Sequence, residues 1–298
     1  MRTKIISALL AVTILLSGVL LASCSGESDF PATVNNTVIK EEPENIVALT
    51  KNLADIVSTL GYDVKLVGRS DEVTQQGMYV VPVVGTAQSP IPASVDEVKA
   101  SVVLADSTLD PTAQKELEKR GVAVITLEDA PTPKQVRGLY KKIGIALAGN
   151  IKGKKEGADA YDKLSKTLKD VRDAAASDNN NILKTVAYLY IDNGALKTFN
   201  QNTWGSTMLG LTGALNVFKS ADTDVVDTAA LALSNPDYIF CADKTTLDFI
   251  RSSDALKKLS ALKTAKIIPY DEITMQGNTA LNVLETMVKE MYPEEFTS

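Results

Sequence analysis

Apolar residues recur at helical spacing through residues 133–176, the longest stretch after residue 42 that has no strand-like alternation. A first run extends from Val136 to Leu147, and a second extends from Tyr161 to Ala175. Gly149 and Gly153 stand between the two runs, and glycine commonly interrupts helices. The pattern therefore predicts a helix, a short break and a longer helix.

On either side of this region, short β-branched runs alternate with amphipathic helices, as is typical of parallel α/β domains. The predicted strands cover residues 46–49, 64–68, 80–84, 102–105, 122–127, 185–191, 238–241 and 266–269. The predicted helices cover residues 52–60, 111–120, 207–215, 229–233, 256–262 and 278–292. We expect an α/β lobe at 43–131, a bridging helix at 132–178 and a second α/β lobe at 179–298. One larger α/β domain with an ordinary outer helix fits the periodicity equally well.

The N-terminus has the pattern of a secretory signal. Arg2 and Lys4 precede an uncharged apolar run over residues 5–22, whose 18 residues are near the lower limit for a membrane span. Leu21-Ala22-Ser23-Cys24 resembles the lipobox of bacterial lipoproteins, in which the cysteine is acylated and becomes the new N-terminus. We therefore expect a signal peptide at 1–23, lipidation of Cys24, and an anchor and tether at 24–42 that hold the protein on a membrane face.

Composition excludes several classes of site. The 298 residues carry a net charge of −6 and no basic patch that would indicate nucleic acid binding. The absence of histidine excludes Ser-His-Asp, Cys-His and His-ligated zinc sites. The two cysteines are Cys24 and Cys241, so lipidation of Cys24 leaves no internal disulfide. These absences count against an enzyme without excluding one, and we expect a monomer without a resident metal or cofactor.

Several segments resemble, in order, the iron-siderophore and cobalamin class (class III) of bacterial ABC-transporter substrate-binding lipoproteins. In the first lobe these are PENIVALTKNLADIVSTLGYDVKL (43–66), Val83-Val84-Gly85 and the strand at 102–105. In the second lobe they are GSTMLGLTGALNVF (205–218), LALSNPDYIF (231–240), LSALKTAKIIPYD (259–271) and YPEEF (292–296). The resemblance covers nearly all of residues 43–296.

The resemblance implies the helical-backbone periplasmic-binding-protein fold, with two Rossmann-like lobes joined by a long rigid helix. It also implies capture of a ferric siderophore or corrinoid between the lobes and delivery to an ABC permease and its ATPase, without enzymatic activity. The alternatives are a haem-binding receptor of the same family and a surface lipoprotein that kept the fold without transport. A surface enzyme on a nitrogenase-like or chelatase-like scaffold is a rival, although a metal cluster would need more cysteines than Cys241.

Two departures from the family pattern affect these expectations. Family members commonly present a glutamate from each lobe to permease arginines, whereas Ala93 and Ala229 occupy those places here. Asp96, Glu97 and Asp227 lie nearby and could substitute, or they could simply be carboxylates that favour a helix start. The second departure is the lack of histidine, which leaves only methionine or tyrosine as a ligand for haem iron: Met78, Met208, Met275, Tyr79 or Tyr270.

Ligands of open α/β lobes bind beyond the carboxyl ends of the strands. Applied to the predicted strands, this rule selects as ligand-binding candidates Lys51, Asn52, Arg69, Gln88, Ser89, Asp106, Asn193, Asp243, Tyr270 and Met275. Trp204, the single tryptophan, either stacks on a corrin or catecholate or fills a gap under its own loop. Lys51 and Arg69 either pair with an anionic ligand or are solvated surface charges.

Overall fold

The computed structural model describes residues 28–177 and 183–293. The first two strands, β1 (Ala32–Val34) and β2 (Thr37–Ile39), form a short hairpin ahead of the first lobe. The first lobe contains a parallel sheet of β3 (Ile46–Ala48), β4 (Leu66–Arg69), β5 (Val102–Asp106) and β6 (Ala123–Leu127). The order of the strands across this sheet is β4-β3-β5-β6. Its helices are α1 (Lys51–Thr59), α2 (Pro92–Glu97) and α3 (Pro111–Lys119). The short helix α2 was not predicted from the sequence.

The second lobe has a mixed sheet of β7 (Thr185–Asp192), β8 (Ala195–Thr198), β9 (Leu215–Asn216), β10 (Tyr238–Cys241) and β11 (Lys266–Ile267). Within it, β7 pairs with β10, β8 and β9. Its helices are α6 (Trp204–Leu211), α7 (Thr228–Ser234), α8 (Lys244–Ser252), α9 (Tyr270–Ile273) and α10 (Asn278–Met291). Among the strand pairs of this sheet in the described residues, β7–β8 is antiparallel and the others are parallel.

The connection between the lobes consists of α4 (Pro133–Ala148), a π-helical turn (Gly149–Gly153) and the 24-residue α5 (Lys154–Ser177). The prediction of a helix, a break and a longer helix is confirmed. The two helices are antiparallel, because Arg137 near the start of α4 pairs with Asp162 of α5 at 2.6 Å. The segment predicted as one bridging helix is therefore a helical hairpin, and its longer helix α5 packs against α6 and α10 of the second lobe.

Three clusters of buried apolar side chains hold the lobes. One cluster is continuous across both lobes and joins Ile46 and Leu104 of the first sheet to Val186 and Phe240 of the second. The two smaller clusters cover the other face of each sheet. Because the central cluster is shared, the lobes cannot separate without exposing apolar surface to water.

Some local predictions differ from the structure. Residues 80–84 do not form a strand, because Pro82 lacks an amide proton and only Val83 bridges to Arg69. Asp63–Lys65 form a 3₁₀ turn, so β4 starts later than predicted, and the 256–262 helix is confined to a 3₁₀ turn at Ser260–Lys263. The helix predicted at 207–215 begins at Trp204, where Thr203 accepts a hydrogen bond from Ser206 N at 3.2 Å.

Part of the segment assigned to the tether is folded. Strands β1 (Ala32–Val34) and β2 (Thr37–Ile39) form an antiparallel hairpin. Ala32, Val34 and Ile39 are buried in the central cluster, and β1 packs against α4. The sequence of this segment is polar overall, which concealed the three apolar positions.

Candidate functional site

A cavity of about 710 Å³ opens between the lobes at the carboxyl ends of β3, β5, β6 and β7. This volume lies within the range of about 300–1,000 Å³ that small-molecule sites occupy. The first lobe contributes Thr50, Asp106 and the segment 127–131, and the second lobe contributes Tyr190, residues 198–200 and Tyr270. We refer to this cavity as the cleft.

The first-lobe wall is formed by residues at or just beyond the carboxyl ends of strands. Thr50 follows β3 and caps α1, its Oγ1 accepting a hydrogen bond from Leu53 N at 3.3 Å. Asp106 ends β5, and its Oδ1 accepts from Thr108 N at 2.9 Å. Glu128 and Asp129 follow β6 and are exposed. This wall is therefore acidic.

The second-lobe wall is aromatic. The ring centroids of Tyr190 and Tyr270 are 4.7 Å apart, and Phe199 stacks on Tyr270 at 5.6 Å. Tyr270 is 43% exposed and lines the cleft, so part of its side chain is accessible to a ligand. Burial raises the pKa of Tyr190 to about 12 and also raises the pKa of Tyr270, so both phenols are neutral near pH 7.

Trp204 lies at the edge of the cleft and is nearly buried, with 5% of its surface exposed. Its indole Nε1 donates a hydrogen bond to Met275 O at 2.7 Å. This hydrogen bond holds the ring against the segment 270–277, and little of the ring is left accessible to a ligand in the cleft. Of the two alternatives for Trp204, the geometry favours packing over stacking on a ligand.

The lobes are held together beside the cleft by reciprocal amide hydrogen bonds. Asn52 Nδ2 donates to Gln276 Oε1 at 3.0 Å, and Gln276 N donates to Asn52 Oδ1 at 2.9 Å. Gln276 Nε2 also donates to Ala130 O at 2.7 Å, and Tyr140 Oη donates to Gln276 O at 2.7 Å. We call Asn52 and Gln276 the amide clamp.

Four of the residues predicted from the sequence line the cleft: Asn52, Asp106, Trp204 and Tyr270. Lys51 does not, because its ammonium group forms an ion pair with Asp271 on the other lobe. Arg69 does not either, because it is 9% exposed and its Nε donates to Met78 O and Val81 O at 2.9 Å. The guanidinium group, which was expected to pair with an anionic ligand, is therefore hydrogen-bonded to local backbone carbonyls instead.

The remaining predicted ligand contacts lie in turns and caps. Gln88 and Ser89 are in an exposed loop, where Ser89 N donates to Thr86 Oγ1 at 2.9 Å. Asn193 has a positive φ of 50° in the β7–β8 hairpin turn. Asp243 caps α8 by accepting from Thr246 N at 2.7 Å. The side chain of Met275 is buried and faces away from the cleft into a second groove.

The predicted docking carboxylates lie on the two corresponding short helices. Asp96 and Glu97 end α2 of the first lobe and are exposed, but Asp96 forms an ion pair with Arg120. Asp227 is the N-cap of α7 in the second lobe and accepts from Ala229 N at 2.9 Å. Both Glu97 and Asp227 keep carboxylate oxygens open to solvent.

Sequence reasoning missed much of the cleft. Glu128 and Asp129 directly follow β6, so the carboxyl-end rule would have found them had it been applied to that strand. Tyr190 lies within β7, and Phe199 follows the unpredicted strand β8. Asp222 and Asp224 belong to the loop after β9, and no local sequence signal distinguishes them.

Other predictions concern metals and the membrane. Within residues 28–177 and 183–293, no three carboxylate or cysteine side chains are close enough together to hold a metal ion. No helix in that part of the chain has the length and apolarity required for a membrane span. Cys241 is buried, and Cys24 with the rest of the signal and lipobox lies outside the described residues.

Comparison with protein families gives a match over residues 46–274 to the model described as periplasmic binding protein. An uncharacterised ABC transporter substrate-binding lipoprotein of Bacillus subtilis, YvrC, is 26% identical, and the match covers 95% of this chain and 96% of the relative.

Solved structures share the fold. The periplasmic haem-binding protein HutB of Vibrio cholerae is 15% identical with a TM-score of 0.68, covering 84% of this chain and 99% of that one. The periplasmic vitamin B12-binding protein BtuF of Vibrio cholerae is 17% identical with a TM-score of 0.58, covering 86% and 99%. The predicted helical-backbone architecture with two α/β lobes is thereby confirmed.

Proposed function

Because the chain belongs to the periplasmic binding protein family, we propose that its cleft captures a metal chelate, either a corrinoid or a ferric siderophore, for import. The chain is a substrate-binding protein of an ABC transporter and not an enzyme. Its partners are accordingly a small-molecule ligand, a permease and an ATPase. The ligand class is the part that we infer.

The observation that carries this proposal is the cleft itself. It lies at the carboxyl ends of parallel strands from two lobes and pairs an aromatic wall at Tyr190 and Tyr270 with a polar wall at Asp106 and Asp129. Aromatic rings supply a large flat surface for a bulky ligand, and the polar groups can orient it. A ligand of several hundred Å³ with both apolar and polar surface fits such a site.

The amide clamp limits how the lobes can move around the ligand. The four hydrogen bonds at Asn52 and Gln276 and the shared apolar cluster favour small changes in lobe orientation over a wide hinge opening. We infer that the ligand enters an already formed cleft and that the permease recognises the outer ends of both lobes, at α2 and α7.

We also propose that Cys24 is acylated and holds the protein on the outer face of the membrane. The lipobox and the lipoprotein relative support this proposal. Metabolic labelling with an alkyne fatty acid tests it, since wild type should be labelled and a Cys24→Ala chain should not. Equal labelling of the two chains would contradict acylation at Cys24.

Haem is a second candidate ligand, and one observation favours it. Of the five methionines and tyrosines considered as iron ligands, Tyr270 alone lines the cleft, with its hydroxyl-bearing ring partly exposed. A phenolate bound to ferric iron would give a charge-transfer absorption band, and replacement of Tyr270 by Phe would abolish that band.

Native mass spectrometry tests the proposed function directly. The mature protein is incubated in detergent with a mixture of cobalamins, ferric siderophores and haemin at micromolar concentration. We expect one chelate bound per chain. A spectrum of only the unbound protein would contradict the proposal and favour a surface lipoprotein that kept the fold without transport.

A further inference from the structure

The cleft is lined by five carboxylates, which come from both lobes. They are Asp106, Glu128, Asp129, Asp222 and Asp224. Among the described residues that line the cleft, there is no lysine or arginine to balance them. In a cleft with apolar walls, charges of one sign reinforce each other and focus the field on the ligand.

The carboxylates differ in how far they are already neutralised. Asp224 pairs with Lys197 at 3.2 Å, and Asp106 accepts hydrogen bonds from Thr108. Glu128, Asp129 and Asp222 form no hydrogen bond or ion pair within the described part of the chain, and all three are exposed. These three are therefore available to interact with a bound molecule.

Nearby lysines do not cancel the negative charge of the cleft. Lys197 is shared between Asp192 at 2.9 Å and Asp224, and Lys51 is taken up by Asp271. Lys142 lies in a small pocket adjoining Glu128 and Asp129, outside the cleft lining. If Lys197 and Lys142 are both counted, the carboxylates still outnumber the cations by three.

The carboxylates set the charge of the ligand, while the cavity and the aromatic wall locate it. The ring faces of Tyr270 and its neighbour Tyr190 carry negative electrostatic potential, so where these rings line the cleft they favour a cation or an electron-poor surface over an anion. Both walls of the cleft therefore disfavour negative charge.

We propose that the cleft selects a metal chelate without net negative charge, and that Glu128, Asp129 and Asp222 are the residues that impose this selection. The proposal rests on the proposed function. Cationic hydroxamate chelates of ferric iron and neutral or cationic corrinoids share the required chemistry. Ferric tris-catecholates and haem with its two propionates do not.

Isothermal titration of the mature protein in detergent separates these classes. The probes are ferrioxamine B and aquocobalamin as cations, cyanocobalamin as a neutral chelate, and a ferric tris-catecholate and haemin as anions. We expect binding of at least one cationic or neutral probe and at least about tenfold weaker binding of both anions, since each like charge in the cleft opposes them. Tight binding of an anionic probe alone would overturn the charge selection and leave the proposed function standing. Binding of no probe would contradict the proposed function itself.

A triple variant tests the three residues. Glu128→Gln, Asp129→Asn and Asp222→Asn are isosteric changes at exposed positions, so the fold is retained. For a cationic probe we expect about tenfold weaker binding and a shallower dependence of affinity on salt; for a neutral probe we expect little change.

The matched control removes three exposed carboxylates that do not line the cleft: Glu41→Gln, Glu44→Gln and Asp63→Asn. It changes the net charge by the same amount and should leave affinity within about twofold. Equal effects of the two triple variants on a cationic probe would show that only overall charge matters and would overturn the assignment.

Discussion

Asp55 Oδ1 accepts a hydrogen bond from Thr279 Oγ1 at 3.1 Å and thereby joins α1 of the first lobe to the start of α10 in the second. Asp55 Oδ2 also accepts from Gly277 N at 3.0 Å. Gly277 is the N-cap of α10 and has no side chain of its own to cap it, so a carboxylate from the other lobe supplies the cap. A Cβ at Gly277 would lie 2.5 Å from Asp55 Oδ2, so glycine permits this approach.

Because Asp55 is ionisable and caps the start of α10, the free energy of unfolding should depend on pH. Burial raises the pKa of Asp55 from 3.8 to about 6, against hydrogen bonds from Thr279 and Gly277 that lower it. A raised folded-state pKa means that stability from this group is complete below pH 4 and is lost as pH rises through 6. The loss should reach about 1–3 kcal/mol by linkage. Urea unfolding between pH 3.5 and 7.5 measures it.

The variant Asp55→Asn isolates this titration, because its amide can accept from Gly277 N and donate to Thr279 Oγ1 without ionising. We expect a flatter stability profile between pH 4 and 6 than in wild type. Asp55→Ala should instead lower the free energy of unfolding by about 1–3 kcal/mol near pH 4, because buried donors lose their acceptor. Its difference from wild type should narrow as pH rises through 6, because only wild type loses stability by ionising there. Identical profiles for wild type and Asp55→Asn would contradict the assigned pKa.

The helical hairpin depends on close backbone approach at Gly144. A Cβ on Gly144 would overlap the carbonyl of Gly153, where α4 meets the start of α5. Gly144→Ala should therefore cost about 1–3 kcal/mol of the free energy of unfolding. Gly138→Ala, in the same helix with no heavy atom within 4 Å of its Cβ, should be neutral or stabilising by up to about 1 kcal/mol. A comparable loss in both variants would rule out the close approach as the cause.

The aromatic wall should contribute to affinity through the ring of Tyr270. Tyr270→Ala is expected to weaken ligand binding by about two- to tenfold, the equivalent of an aromatic contact of about 0.5–1.5 kcal/mol. Tyr270→Phe should bind within about twofold of wild type unless the phenol ligates iron. Tyr79→Ala is the control, since Tyr79 is 70% exposed and does not line the cleft. If calorimetry gives the same affinity for Tyr270→Ala and wild type, the Tyr270 ring does not contribute to ligand binding.

Permease recognition should depend on Glu97 and Asp227. Glu97→Gln and Asp227→Asn keep the side-chain shape, and the asparagine can still cap α7 through Oδ1. We expect stability within about 0.5 kcal/mol of wild type, unchanged ligand affinity, and reduced stimulation of the importer's ATPase by the loaded protein. Glu41→Gln, an exposed change elsewhere, is the control. Full ATPase stimulation by the double variant would show that neither carboxylate takes part in permease recognition and that both serve only at helix ends.

Periodicity predicted the long helices α4, α5 and α10 because their buried faces follow local spacing. It missed the shorter helices α2 and α8, and it predicted a helix at 256–262 where the structure has only a 3₁₀ turn. The direction of α5 relative to α4 was not predictable in the same way, because it depends on the contact between Gly144 and Gly153 across the π turn. The β1–β2 hairpin was missed because Ala32, Val34 and Ile39 are too few to mark strands in a polar segment.

The carboxyl-end rule located the correct edge of each sheet but could not give the direction of a side chain. Asn52 and Asp106 face the cleft, whereas Arg69 turns to the carbonyls of Met78 and Val81. The amide clamp joins Asn52 to Gln276, which are 224 positions apart, and no local pattern indicates such a pair. The carboxylates Asp222 and Asp224 were missed for the same reason, because the fold places them beside cleft residues that are distant in the sequence.

A metal chelate bound in the cleft would lie beside Trp204 and should quench its intrinsic fluorescence. Trp204 is the single tryptophan, and Trp204→Phe provides the inner-filter control. The mature protein is titrated with ferrioxamine B, aquocobalamin, cyanocobalamin, a ferric tris-catecholate and haemin. We predict saturable quenching at micromolar concentration or below by a neutral or cationic chelate, with one chelate bound per chain. If no chelate gives saturable quenching and calorimetry detects no binding, the proposal that the cleft binds a metal chelate is contradicted.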